Sequence, residues 1–418
     1  MSRIPLAADM VAQAHRRLLV LLREQGQEQD PPVEVLEHAA RRAVQDVLGG
    51  RPAELPVMVQ LLLAEVRGLG PLEPLLADPE VSEIMVNGPV AVWTERSGQL
   101  ERTSLRFQDE AHLRRIIDRI VQRVGRRVDE AAPMADARLP DGSRVNVILP
   151  PLALDGPILT IRRFRATPPD AAELVAQGAW TTEVEGFMAA AVRARCNILV
   201  SGGTGSGKTT LLNVLSRYIP DRERLITIED AAELRLQQPH VVRLETRPGL
   251  PGGQGRVDQA ELLRNSLRMR PDRILLGEVR GAEALTMLQA MNTGHEGSLA
   301  TLHANAPRDA LSRLETMVLM AGADLPLRAI REQVARAVDL IVQVARWPGG
   351  MRGVVSVVEV LGMEGETLTT QELFRRHEGP EPVTPLRESG LMPRLAGRLR
   401  EAGWVPSGPA RSAAGPRW

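Results

Sequence analysis

The run Gly202-Gly203-Thr204-Gly205-Ser206-Gly207-Lys208-Thr209 constrains this chain more than any other feature. It has the spacing G-x-x-x-x-G-K-[ST], with an apolar stretch at 198–200 leading in and a helix-period stretch at 209–218 leading out. Strand, glycine-rich turn and helix together make an anion nest. The glycines allow a tight turn, and backbone N–H groups surround a phosphate placed at the helix N-terminus. Lys208 then reaches the β- and γ-phosphates of ATP, and the hydroxyl of Thr209, which Thr210 follows, ligates Mg2+. Composition sharpens the point. Of 52 basic side chains Lys208 is the single lysine. A compact ammonium on a slim stem suits a narrow nest where a planar guanidinium fails.

The surroundings of that run predict an α/β domain. Helix and strand alternate over residues 183–345: a helix to 195, strands near 197–201, 225–228, 273–276 and 298–302, and helices from 207, at 259–267 and at 282–291. Short apolar strands with helices between them predict a mostly parallel sheet covered on both faces. A helical stretch at 307–337 and a strand pair at 340–344 and 354–360 complete the domain, whose expected span is 183–362. Ahead of it, residues 1–67 read as two or three amphipathic helices, broken near 30–32 and 49–52. Residues 68–166 read as a smaller α+β domain, with strands near 84–86, 90–93, 145–149 and 158–161 and a helix near 110–124. Thr167-Pro168-Pro169-Asp170 opens a linker, 167–182, and is the expected hinge. Residues 363–418, rich in Pro, Gly and Arg toward the end, read as a mobile tail.

Three further segments carry candidate chemistry. Arg273-Ile274-Leu275-Leu276-Gly277-Glu278 is an apolar strand ending in a glycine and a carboxylate, suited to place an acid near Mg2+ and the attacking water. Glu is one methylene longer than the more usual Asp, which fits a general base or a water-mediated metal contact. Ile226-Thr227-Ile228-Glu229-Asp230 is a second strand ending in acids; Glu229 is a candidate for the magnesium's water shell, and Asp230 for that or a helix cap. His295 and His303 flank a third strand beside glycines and polar residues. No thiolate or helix-spaced second ligand accompanies them, so zinc is not expected.

Composition removes several classes. The 52 acids balance the 52 bases, so no bulk field attracts nucleic acid or anionic lipid. Ten aromatic residues give few stacking platforms for single strands. Cys196 alone excludes an internal disulfide framework and any multi-cysteine metal site. Asp9 interrupts the early apolar stretch, and no window is apolar enough to span a membrane, so the expected location is the cytoplasm.

Residues 202–210, 227–233, Leu244-Glu245-Thr246-Arg247-Pro248, 267–284 and 294–307, in this order, resemble the type II/IV secretion ATPase superfamily. Within it they look most like the CpaF/TadA branch, associated with Flp or tight-adherence pili. The resemblance spans roughly residues 68–362. It implies a RecA-like P-loop motor domain preceded by a smaller α+β domain, assembled as a homo-oligomeric, usually hexameric, ring. By that resemblance Glu229 belongs to an Asp box, Glu278 and Arg280 to a Walker B segment, and His295 and His303 to a His box. Glu278 is expected to activate water, and Arg144 with Arg162 or Arg163 to approach the γ-phosphate. The implied function is an ATP-hydrolysing ring motor at the inner face of the cytoplasmic membrane. It would drive assembly or retraction of a type IV or Flp-type pilus, or a related secretion machine, through an inner-membrane platform protein. A DNA-translocating or packaging ring ATPase is the rival reading, disfavoured by the neutral charge. The single cysteine departs from relatives that carry a four-cysteine zinc insertion.

Overall fold

Apolar residues three and four apart in the first 66 positions build three helices, α1 (Ile4–Glu24), α2 (Val33–Leu48) and α3 (Leu55–Val66). They bury Leu18, Leu21, Leu36, Val44 and Leu62 against one another. The structure, a computed structural model, describes residues 4–27, 31–48, 52–96, 98–125, 127–163, 168–247, 249, 255–322, 324–376 and 385–406. The chain divides into two units, Met1–Arg165 and Ala166–Trp418. The helical region expected as a separate domain therefore belongs with the α+β layer that follows it.

That layer comprises α4 (Glu73–Ala77), β1 (Val81–Asn87), β2 (Ala91–Arg96), β3 (Gln99–Arg102), α5 (Glu110–Arg123), β4 (Met134–Arg138), β5 (Arg144–Ile148) and β6 (Ile158–Arg162). The strands form an antiparallel sheet in the order β3-β2-β1-β6-β5-β4. Period-2 alternation puts Ile84, Val86, Val145, Val147, Leu159 and Ile161 on one face, where Leu113, Ile116, Ile117 and Ile120 of α5 cover them. Asp109 caps α5 by accepting the His112 N–H at 2.7 Å. Helix α5 is fastened to the end of α3 as well. Arg119 donates to the carbonyls of Glu65 and Gly68, and His112 Nε2 lies 2.8 Å from the Glu65 carboxylate.

The second unit begins with α6 (Ala171–Ala176), which Asp170 and Glu173 close with a capping box, and α7 (Thr182–Arg193). Helix α6 thus occupies part of the expected linker, and Thr167 of the expected hinge lies outside the described residues. Then follow β7 (Ile198–Gly202), α8 (Lys208–Ser216), β8 (Leu225–Glu229), β9 (Val241–Glu245), α9 (Gln259–Ser266), β10 (Arg273–Val279), α10 (Glu283–Asn292), β11 (Leu299–His303), α11 (Pro307–Met320) and α12 (Leu327–Ala337). The chain closes with β12 (Leu340–Arg346), β13 (Arg352–Glu364), β14 (Thr367–Arg376), β15 (Leu386–Glu388) and α13 (Ala396–Glu401). The sheet order is β15-β14-β13-β12-β7-β11-β10-β8-β9. The six strands from β12 to β9 are parallel, and β13, β14 and β15 extend the sheet antiparallel. Apolar layers cover both faces, as the continuous apolar strands require.

Residues 363–376 and 385–406 are not the expected tail. Leu373, Phe374, Leu386, Leu399 and Trp404 are buried in the core, where Phe187 meets Phe374 and Trp404 edge-on, with ring centroids 5.1 Å and 5.6 Å away. Residues 377–384 and 407–418 of that stretch lie outside the described residues. The N-terminal end of β10 is anchored by a buried charge. Arg273, fully buried, pairs in a fork with Glu223 at 2.6 and 3.0 Å and donates to Val192 O at 2.6 Å.

Candidate nucleotide site

Strand β7 delivers its last residue, Gly202, into the turn, and α8 starts at Lys208 after Gly207 at φ 95°. Gly205 (φ 66°) and Gly207 take left-handed backbone that side chains resist. Gly202 is fixed by space instead. A Cβ there would lie 2.5 Å from Val344 O and 2.6 Å from Ser206 Oγ. Lys208 Nζ is half-buried and donates to Gly202 O at 3.0 Å and Gly203 O at 2.9 Å, while Ser206 Oγ donates to Gly203 O at 2.8 Å. The ammonium is therefore drawn across the mouth of the turn, and Thr209 and Thr210 stand half-exposed in the first turn of α8.

Strand order decides what shares this end of the sheet. β11 runs parallel beside β7 with His303 opposite Gly202, β10 lies beyond it, and β8 beyond that. Glu278 and Glu229 are thus brought onto neighbouring strands, β10 one strand removed from the P-loop strand and β8 two, with His303 on β11 between β7 and β10. Burial holds the His303 imidazole below its usual pKa, with Lys208 and Arg313 pressing the same way and Glu278 opposing. A neutral ring results at neutral pH. Glu278 sits half-exposed where the β10 register shifts between Leu276 and Val279, next to Gly277, whose carbonyl accepts the Thr301 hydroxyl.

Glu229 is 3% exposed. Its Oε1 accepts the N–H groups of Glu233 at 2.8 Å and Leu234 at 3.0 Å, while Oε2 meets no hydrogen-bond partner among the described residues. Burial pushes its carboxyl up to about 7, against the pull of those two N–H groups. Its side chain passes over Gly277, where a Cβ would lie 2.8 Å from Glu229 Cγ. Glu229 therefore secures the loop after β8. The next residue, Asp230, pairs with Arg280 and accepts the Thr246 hydroxyl at 3.1 Å.

Several expected residues take other positions. His295 precedes β11, at the opposite end of the sheet from the P-loop, because β11 runs parallel to β7 and only its C-terminal residue reaches Gly202. Arg163 is committed to the backbone, donating to the carbonyls of Leu75, Asp78 and Val81, so it is withdrawn as a phosphate ligand. Arg162 and Arg144 face each other across β6 and β5 on the face away from α5, and Arg138 faces Arg144 in turn. Two arginines escaped sequence reasoning. A Cβ on Gly205 would touch Arg346 Nη1 at 3.4 Å, and one on Gly207 would lie 3.9 Å from Arg352 Cδ. The strand pair at 340–344 and 354–360 was the available signal, since its connecting hairpin carries both.

Among the described residues no cluster of three or more His, Cys, Asp or Glu side chains is arranged to hold a metal. The Thr209 hydroxyl, half-exposed in the first turn of α8, is an oxygen donor of the kind magnesium takes. No helix among the described residues is long and apolar enough to cross a membrane.

Residues 65–348 match the protein family described as Type II/IV secretion system protein. The protein Rv3659c of Mycobacterium tuberculosis is 39% identical over 318 residues, 75% of this chain and 90% of that protein. Type IV secretion system protein PtlH of Bordetella pertussis is 36% identical over 308 residues, covering 66% of this chain and 89% of PtlH. Among solved structures, the Legionella pneumophila ATPase DotB is similar with a TM-score of 0.50 and 21% identity, over 68% of this chain and 78% of DotB.

Proposed function

Because this chain belongs to the family of type II/IV secretion system proteins, we propose that it hydrolyses ATP to drive a secretion or pilus machine. The observation that supports this reading is the shared end of the β7, β11 and β10 strands, with His303 opposite Gly202 and Glu278 on the next strand. ATP binds with its β-phosphate in the turn of residues 202–209, where the backbone N–H groups and the N-terminus of α8 meet negative charge. Lys208 exchanges its two carbonyl partners for phosphate oxygens. The Thr209 hydroxyl would help hold magnesium, which would supply charge neutralisation for the transferring group.

Glu278 takes the proton from the attacking water. Its half-exposed carboxylate at a strand tip is reachable by water and anchored by the sheet behind it. His303, neutral and between Glu278 and Lys208 in strand order, can accept or donate a hydrogen bond to the γ-phosphate or the water. Arg346 and Arg352 face the P-loop glycines from the β12–β13 hairpin and suit the ribose and phosphate side of the nucleotide. The working form is a ring. That ring is a homohexamer acting on a membrane platform protein from the cytoplasmic side, and within the family we favour a Flp-type pilus motor. Loss of the γ-phosphate anion on hydrolysis releases the cations drawn to it and resets the motor.

Replacing Glu278 by Gln tests the reading. Nucleotide binding should persist and turnover should fall by about 100-fold or more. Unchanged phosphate release would remove Glu278 from the role.

A further inference from the structure

The guanidinium of Arg280 lies between two acids. Its Nη2 pairs with Asp230 and stands 4.0 Å from Glu278 Oε2. The backbone of this residue is fixed, since Glu283 Oε1 accepts the N–H groups of Arg280 at 2.6 Å and Gly281 at 2.8 Å. Asp230 is fixed too. Thr246, just after β9, donates its hydroxyl to Asp230 Oδ1 at 3.1 Å and its N–H to Glu229 O at 3.0 Å. Beside it, Glu245 Oε2 accepts the Ala232 N–H at 2.9 Å, which holds the same loop against β9.

We infer that Asp230 is a positioning residue that holds Arg280 away from Glu278, keeping the Glu278 carboxylate open to water. A guanidinium fork matches a carboxylate and occupies both of its oxygens when the two meet. Glu278, so engaged, has one lone pair on each oxygen taken by an N–H and is a weaker base toward water. Only a short movement of Nη2 separates the observed arrangement from that closed one. Asp230 prevents it by offering a nearer carboxylate, and Thr246 orients that carboxylate. The inference rests on Glu278 being the base, and it assigns to Glu245 and Thr246 the work of keeping that base available.

The test is steady-state ATP turnover of the assembled, full-length protein, with nucleotide binding measured in parallel. Asp230→Asn removes the competing charge, and kcat should drop about tenfold while KM stays within about twofold. Arg280→Gln alone sets the reference level of turnover without the guanidinium. The double variant Asp230→Asn/Arg280→Gln should recover to the level of Arg280→Gln, a rescue that a merely structural role of Asp230 would not give. Thr246→Val, which leaves every charge in place, should lower kcat in the same direction by about threefold and be relieved by the same arginine change. That pair carries the test if Asp230→Asn does not fold. Unchanged turnover in Asp230→Asn, or a double variant as slow as it, overturns the inference. So does Arg280→Gln falling as far as Glu278→Gln, which would put Arg280 on the reacting phosphate. Glu278→Gln in the same assay separates the two levels. If it turns over normally, both readings fail; if it is slow and no rescue appears, only this one fails.

Discussion

Glu229→Gln should remove a specific pH dependence of stability. The carboxyl is almost wholly buried, and its pKa rises from 4.5 to about 7 on folding. Because the folded value is the higher one, the folded chain binds the extra proton between those limits. The stabilisation is fully present below about pH 4.5 and is lost as pH rises through 7. Holding the proton that much more tightly is worth about 3 kcal/mol at most, and about 2 kcal/mol after allowing for relaxation around the ionised group. Glutamine keeps an oxygen to accept the Glu233 and Leu234 N–H groups but carries no proton to lose. The difference in stability between wild type and variant should therefore shift toward the variant by about 2 kcal/mol between about pH 5 and pH 8. For a unit of this size that is roughly 4–8 °C in the thermal midpoint. Calorimetry on both proteins across that range, following the transition of the second unit, measures it. Other titrating groups cancel in the comparison. Parallel pH curves for the two proteins would refute the argument that Glu229 is the buried proton carrier.

Gly277→Ala should destabilise by about 2 kcal/mol and slow turnover, since its Cβ would press on Glu229, and denaturant unfolding with an ATPase assay reads both. Arg273→Met should cost about 3–5 kcal/mol by leaving Glu223 in its buried setting without its bidentate partner, with part returned by Glu223→Gln in the same background. Gly186→Ala should do the opposite. It lies exposed inside α7 with nothing within 4 Å of a new Cβ, so unfolding should become harder by about 0.5–1 kcal/mol.

Much of this was legible in the residues. The P-loop run, the apolar strands at 225–228 and 273–276, and the helix at 110–124 are local patterns, and each lies within a few residues of its expected place. Glu278 and Glu229 could be picked out because a carboxylate closing an apolar strand is visible locally. What failed depended on distant partners. Strand β14 has the polar stretch Thr367-Leu368-Thr369-Thr370-Gln371-Glu372, whose pairing with β13 no local period announces. Trp404 reads as part of a polar tail until Phe187, more than 200 residues earlier, is seen against it. His295 and His303 share a sequence box, yet a parallel strand carries them to opposite ends of the sheet. In a chain with so many arginines, nothing in Arg163 itself announces that it will bind three carbonyls.

The wedge of Gly202 against Val344 O has a consequence for how this unit opens. Strand β12 is paired on one side with the P-loop strand and on the other with the antiparallel extension that ends at β15. Amide hydrogens of α8 and of β12 to β14 should thus exchange through one shared opening rather than two. A chain cut just after β12 would bare that strand's outer edge and expose the apolar layer beneath α7 and α8. A piece of this protein that keeps the core around the P-loop strand intact therefore has to reach Trp404, which packs on Phe187 of α7.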